Sequence, residues 1–210
     1  MGTVQDSVNT RGIVIDAAGK LFAQRGYDAV SVRDITAAAG VPLGTVNYHF
    51  KGKDGLYLET LRQACGRTEF SSGAVELLLR LPPREAFCRY ISDFCTLHNT
   101  ELRQGWERAL ICRECNNPGP FFDQVMPEYF ARKRHLLAQI IGRITGDDPT
   151  SADTQFAAIT LLAQLNLFVH NGHLLHCAAP ELEARMCGEP EWLEHKLLEQ
   201  FTLLSSGKRG

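Results

Sequence analysis

The sequence predicts an all-α protein, with an N-terminal three-helix helix-turn-helix domain joined to a C-terminal helical bundle, about nine helices in total. Three observations predict it. Apolar residues recur at helical spacing almost throughout, and convincing period-2 runs are absent. The 210 residues are 44% hydrophobic and 22% charged, ordinary usage for a globular chain. Near the N-terminus, two short helical patterns meet across Gly40-Val41-Pro42, the kind of tight turn such a domain requires.

The elements follow in order. Ile13, Ala17, Leu21 and Phe22 give the first helix one apolar face, and Arg25-Gly26 ends it with a basic last turn and a C-cap glycine. Ser31 N-caps a second helix over Val32 to Ala39, with Asp34 standing where a capping box has Glu. Gly40 stops it, and Pro42 to Thr45 opens a third helix through His49. Lys53-Asp54 starts a fourth, through Leu56 and Leu61 and on toward Arg80. Pro82-Pro83 is the clearest break in the chain. Beyond it, helices are expected at about 83–98, 102–115, 120–144, 152–178 and 190–205. Asn116-Asn117-Pro118-Gly119-Pro120 parts the second of these from the third, and Gly146-Asp147-Asp148-Pro149 the third from the fourth. Pro127 falls early enough only to kink its helix. Two domains follow, 1–55 and 56–210.

Composition narrows the function classes. A chain this long buries roughly 70% of its unfolded surface without a staple. Its longest apolar run is too short to span a bilayer. Met1 to Arg11 lack a basic region followed by an apolar stretch, so no secretory signal is expected. Seven scattered cysteines are an odd number and argue against a disulfide framework, so a cytoplasmic location is expected. The net charge of −2 is divided unevenly: residues 1–53 hold six Lys/Arg against four Asp/Glu, a mildly basic head on an acidic body.

The segment 32–50 carries the informative pattern. Val32, Ile35, Ala39, Val41, Val46 and Phe50 are the apolar positions that fix two helices at an angle. What remains on the third helix is Thr45, Asn47, Tyr48 and His49, every one able to donate or accept a hydrogen bond. A purely structural helix this short has no need of such a face, whereas a recognition helix in the DNA major groove does. Lys53 stands at a helix start, where backbone N–H groups also favour phosphate. Bland alternatives stay open. Tyr48 could pack between helices, His49 could be an inert surface residue, Asn47 could be merely solvated, and Thr45 could serve as the cap of the third helix. Lys51 and Lys53 taken alone are ordinary surface lysines.

The stretches Leu21-Phe22-Ala23-Gln24-Arg25-Gly26-Tyr27, Ser31-Val32-Arg33-Asp34-Ile35, Ala38-Ala39-Gly40-Val41 and Gly44 through Leu56 together resemble the DNA-binding domain of TetR-family transcriptional regulators. The resemblance implies that Thr45 contacts phosphate or base, that Tyr48 and His49 grip the phosphate backbone, and that Lys53 binds phosphate. It implies that Arg33 reaches a base edge, where Arg suits guanine. Leu43, Gly44 and Asn47 fall where family members read bases, although Leu43 and Gly44 offer only apolar contact or close backbone approach. Val32 stands where some members carry a hydroxyl for phosphate, and valine cannot make that bond.

The resemblance also implies a homodimer through the last two long helices and a small-molecule effector bound by the C-terminal domain. Phe156 to Leu175 is apolar nearly all round, as a buried or interface helix is. The final helix carries Trp192, Leu193, Leu197, Leu198, Phe201 and Leu204. Trp106 through Pro118, with Phe121-Phe122-Asp123, resembles the CerR-type effector domain of one branch. Candidate effector residues are the polar Arg113, Gln164, Asn166, His170 and Asn171, with Phe94, Trp106, Phe121 and Phe168 as walls. The alternative for each polar group is a hydrogen-bonded core or interface position.

Cys112-x-x-Cys115, Cys88 with Cys95, and His170, His173 and Cys177 on one helical face raise a metal or thiol redox sensor as another reading. A lone C-x-x-C is a weak signal, and buried cysteine often serves as a small hydrophobe. Nucleotide-binding and nucleophile-elbow motifs are absent, so neither a cofactor nor an enzyme is expected. The expectation is a homodimeric repressor, released from palindromic operator DNA by a small hydrophobic effector. The remaining alternative is a cell-division or structural DNA-binding factor on the same fold.

Overall fold

The computed structural model describes the backbone of residues 4–99, 105–170 and 172–207, without the side chains of 4–8, 96–99, 169–174, 187, 190 and 202–207. The described residues form twelve helical segments and no strand. They are α1 (Val4–Arg25), α2 (Val32–Ala39), α3 (Gly44–Phe50), α4 (Lys53–Arg67), α5 (Ser72–Arg80), α6 (Pro83–Asn99), α7 (Trp106–Asn116), α8 (Phe122–Thr145), α9 (Ala152–His170), α10 (Gly172–Ala178), α11 (Pro180–Gly188) and α12 (Pro190–Gly207). The all-α class is as the sequence predicts, in shorter pieces.

The extra divisions have local causes. The fourth helix ends at Arg67, and Ser71 N-caps a separate α5 by accepting the Ala74 N–H at 3.2 Å. The stretch expected as one helix over 152–178 is helical over Ala152–His170 and Gly172–Ala178, the residue between them lying outside the described residues. Pro180 then opens α11 at a first-turn position where proline loses no helical hydrogen bond. By contrast, α8 runs on through Pro127.

The chain packs as two compact units, residues 1–69 with 101–129, and residues 70–100 with 130–210. The boundary expected at 55/56 does not coincide with this division. Leu56, Tyr57, Leu61, Ala64 and Cys65 of α4, and Trp106, Leu110 and Ile111 of α7, are buried in the same core as Val14, Ile15, Phe22, Ile35, Val46 and Phe50. Thus α7, distant in sequence, packs against both α1 and α4.

Two contacts seat α7 in that unit. The Trp106 indole occupies a notch at Gly19, where an added Cβ would lie 2.1 Å from Cδ2, and its Nε1–H donates to Asp16 Oδ1 at 3.3 Å. Glu114, 1% exposed, accepts from the Tyr57 hydroxyl and, at 3.1 Å, from the Gly119 N–H. A buried carboxylate needs such donors to offset its desolvation.

In the second unit, α5, α6, the later part of α8, α9 and α12 enclose Leu78, Phe87, Tyr90, Phe94, Leu137, Ile141, Leu161, Leu165, Leu197 and Phe201. The inner face of α9 is buried at Ala158, Leu161, Leu162 and Leu165. Its outer face leaves Phe156 at 72%, Ile159 at 51% and Leu167 at 40% exposure. No described helix is long and apolar enough to cross a membrane.

Candidate nucleic-acid interface

The local sequence sets the angle between α2 and α3. Ser31 and Asp34 form the predicted capping box: the Asp34 N–H donates to Ser31 Oγ at 3.1 Å, and the Ser31 N–H to Asp34 Oδ2 at 2.9 Å. The Ser31 hydroxyl, which donates to Asp34 Oδ2 at 2.6 Å, and then the Ser31 N–H hold the Asp34 carboxyl below its ordinary value. Gly40 takes φ +68°, which lets the chain leave α2, and the Val41 N–H returns to Thr36 O at 3.0 Å. The Thr45 N–H donates to Pro42 O at 3.0 Å as α3 starts. Buried Ile35, Val46 and Phe50 lock the pair from inside, with Val32, Ala39 and Val41 packed alongside.

The polar side chains of this motif lie on the other side. Arg33, Leu43, Gly44, Asn47 and Tyr48 are exposed, and Thr45, His49 and Lys53 are half-buried. Tyr48 is 82% exposed, which rules out the packing alternative. Its ring meets His49 edge-on at 4.8 Å. Thr45 is not the cap of α3, because Leu43 holds that position without a side-chain bond. Lys51 closes α3 at φ +61°, where glycine is usual, with its N–H on Asn47 O at 3.1 Å. Lys53 opens α4, and its Nζ lies 4.1 Å from the Tyr27 ring centroid. The Tyr27 hydroxyl donates to Asp54. Burial first, then that bond, push its pKa up to about 12. The pairing of Tyr27 with Asp54 escaped sequence reasoning because residues so far apart show no common spacing.

The candidate effector residues are divided between the two units. Trp106, Arg113 and Phe121 belong to the first unit. There Trp106 fills the Gly19 notch, the Arg113 guanidinium closes over Gly26, and Phe121 meets Tyr27 and Tyr57 edge-on or tilted at 6.1 and 6.0 Å. Phe94, Gln164 and Phe168 belong to the second. Phe94 is buried with the Lys133 ammonium 5.4 Å from its ring, and Phe168 packs at the core edge. Gln164 Oε1 has no hydrogen-bond partner among the described residues, while the Asn166 amide donates to Leu162 O at 2.7 Å. The side chains of His170, Asn171 and His173 lie outside the described residues. A pocket of about 360 Å³ in the second unit is lined by Ile141, Asp147, Asp153, Phe156, Gln200 and Phe201 among others, and by none of the candidates.

The described sulfur groups do not assemble a cage. Among the described residues no three His, Cys, Asp or Glu side chains gather around a common point. Burial raises the Cys112 thiol above its usual range, and burial with Glu194 nearby pushes Cys95 up to about 11, opposite to a reactive thiolate.

Comparison with known proteins agrees with this geometry. Residues 14–60 match the family model for bacterial regulatory proteins of the tetR family, and residues 83–191 match the C-terminal domain of the HTH-type transcriptional dual regulator CecR. The chain belongs to the TetR family of transcriptional regulators, in the branch with the CecR C-terminal domain. It is 34% identical over 145 residues to the Probable HTH-type transcriptional regulator YttP of Bacillus subtilis, covering 64% of either chain. It is 40% identical over 63 residues to the HTH-type transcriptional repressor KstR2 of Mycobacterium tuberculosis, covering 30% of this chain and 32% of that one. The matched stretches therefore span less than two thirds of these relatives' lengths. A transcriptional regulator from Rhodococcus sp. Rha1 shares the fold with a TM-score of 0.61 at 20% identity, over 94% of this chain and 96% of that one.

Proposed function

We propose that the protein is a homodimeric repressor that binds a palindromic operator through α2 and α3 and is released by a small hydrophobic effector held by the C-terminal helices. The observation that carries the DNA contact is the exposure of Tyr48, Asn47 and Arg33 on a motif whose apolar residues Ile35, Val46 and Phe50 are turned into the core. Thr45, Tyr48, His49 and Lys53 are assigned to the phosphate backbone. Arg33, Leu43, Gly44 and Asn47 are assigned to base edges.

The apolar outer face of α9 supports the dimer: Phe156, Ile159 and Leu167 fall on one stripe of the helix, which a monomer leaves in water. In the dimer this stripe and α12 meet their copies about a two-fold axis. Repression is the activity named for the KstR2 relative. The effector binds best to a state whose two reading heads no longer fit both half-sites, so effector and DNA weaken each other's binding by the same factor.

Selection of DNA by the full chain from a pool of random duplexes tests the reading. The expected product is an inverted repeat whose half-sites are one helical turn or a multiple apart. Recovery of sequences without two-fold symmetry contradicts it.

A further inference from the structure

We propose that Tyr27 is the positioning residue for Lys53, holding the lysine ammonium where it meets a DNA phosphate. The proposal rests on the reading of Lys53 as a phosphate contact. Its ground is the aromatic platform at the start of α4. Lys53 Nζ stands 4.1 Å from the Tyr27 ring centroid, well within the range for attraction between a cation and a ring face.

The ring itself is fixed. Gly26, at φ +81°, turns the chain out of α1 and places Tyr27 against the core. Tyr57 and Phe121 meet the ring at 5.0 and 6.1 Å with interplanar angles of 78° and 74°, and Phe22 lies nearly parallel at 6.3 Å. The hydroxyl donates to Asp54, the residue after Lys53, which ties the ring to the first turn of α4.

The way Lys53 is held favours this role. Among the described residues Lys53 forms no ion pair. The Asp54 carboxylate, one residue away, is engaged by the Tyr27 hydroxyl instead. A ring face restrains the ammonium without neutralising it, so no ion pair has to break when a phosphate arrives. A lysine loses rotamer freedom on binding, and restraint in the free protein shifts that loss from the binding step to folding.

Fluorescence anisotropy of the full chain on the selected duplex, across a salt series, tests the proposal. The variants are Tyr27→Phe, Tyr27→Leu, Lys53→Ala and the Tyr27→Leu/Lys53→Ala pair. Tyr27→Phe keeps the ring face and stays within about twofold of the parent. Tyr27→Leu loses the face and weakens binding to all sequences by about three- to tenfold. On the Lys53→Ala background the same change has no further effect, whereas a merely structural role for Tyr27 would add in full. Parent-like binding by Tyr27→Leu, or full addition in the pair, overturns the proposal alone. Parent-like binding by Lys53→Ala overturns the phosphate reading beneath it. A second measurement needs no variant to fold: the ε-methylene protons of Lys53 in the parent are shifted upfield by the Tyr27 ring current. Unshifted protons overturn the proposal.

Discussion

Ile159→Glu is expected to convert the protein to a monomer and to weaken operator binding by at least about a hundredfold. Ile159 is 51% exposed in the single chain, so the glutamate meets water there and the helix keeps its fold. In a two-fold interface it meets its own copy, placing two like charges in an apolar seam. One recognition helix reads only a few base pairs, so a monomer loses the gain from the second half-site. Light scattering on a sizing column should move from twice the chain mass of 23.4 kDa to that mass itself. Circular dichroism should remain helical. A variant that stays dimeric places the interface elsewhere than on the outer face of α9.

Gly19→Ala is expected to destabilise the first unit by about 1–3 kcal/mol, the usual cost of overpacking. Two effects oppose each other. Alanine is a better helix former than glycine by about 1 kcal/mol, which would stabilise α1. Against it, the new Cβ stands 2.1 Å from Cδ2 and 2.2 Å from Cε3 of Trp106, and that buried ring has little room to withdraw. The steric effect wins. Urea denaturation should show a lower midpoint for Gly19→Ala, and Trp106→Leu in the same chain should recover part of the loss. A higher midpoint for Gly19→Ala would mean that the indole moves freely and that the Gly19 notch does not seat α7.

What could be read from the residues alone is local. Ser31, Asp34, Gly40 and the 43–50 motif interact within a few residues, and each takes the conformation its neighbours require. Ser71 was an equally readable start for α5, but the apolar periodicity running past it masked the break; Pro180, a readable start for α11, falls between the helices expected over 152–178 and 190–205, where no helix was expected. The docking of α7 on α1 and α4 was not readable. It depends on Gly19 meeting Trp106 and on Tyr57 meeting Glu114, pairs that only the folded chain brings together. Trp106 and Phe121 read as pocket walls in sequence and Arg113 as a polar pocket group, whereas their packing against Gly19, Tyr27, Tyr57 and Gly26 shows only in the folded chain. The apolar character of α9 was visible throughout its length, while its division into a core face and an outer face required the helix to be placed.

That the face formed by α2, α3 and the start of α4 grips DNA is tested most directly by salt. Operator binding by Tyr48→Ala and Lys53→Ala is measured beside the parent chain over a range of salt concentrations. Every phosphate that a side chain neutralises releases condensed counterions on binding. Both variants should therefore bind every duplex more weakly; Lys53→Ala should also show a slope of log affinity against log salt shallower by about 0.9, whereas the uncharged Tyr48 hydroxyl neutralises no phosphate and its loss should leave the slope unchanged. Parent-like affinity in both variants, with a parent-like slope for Lys53→Ala, would contradict the claim that this face grips DNA.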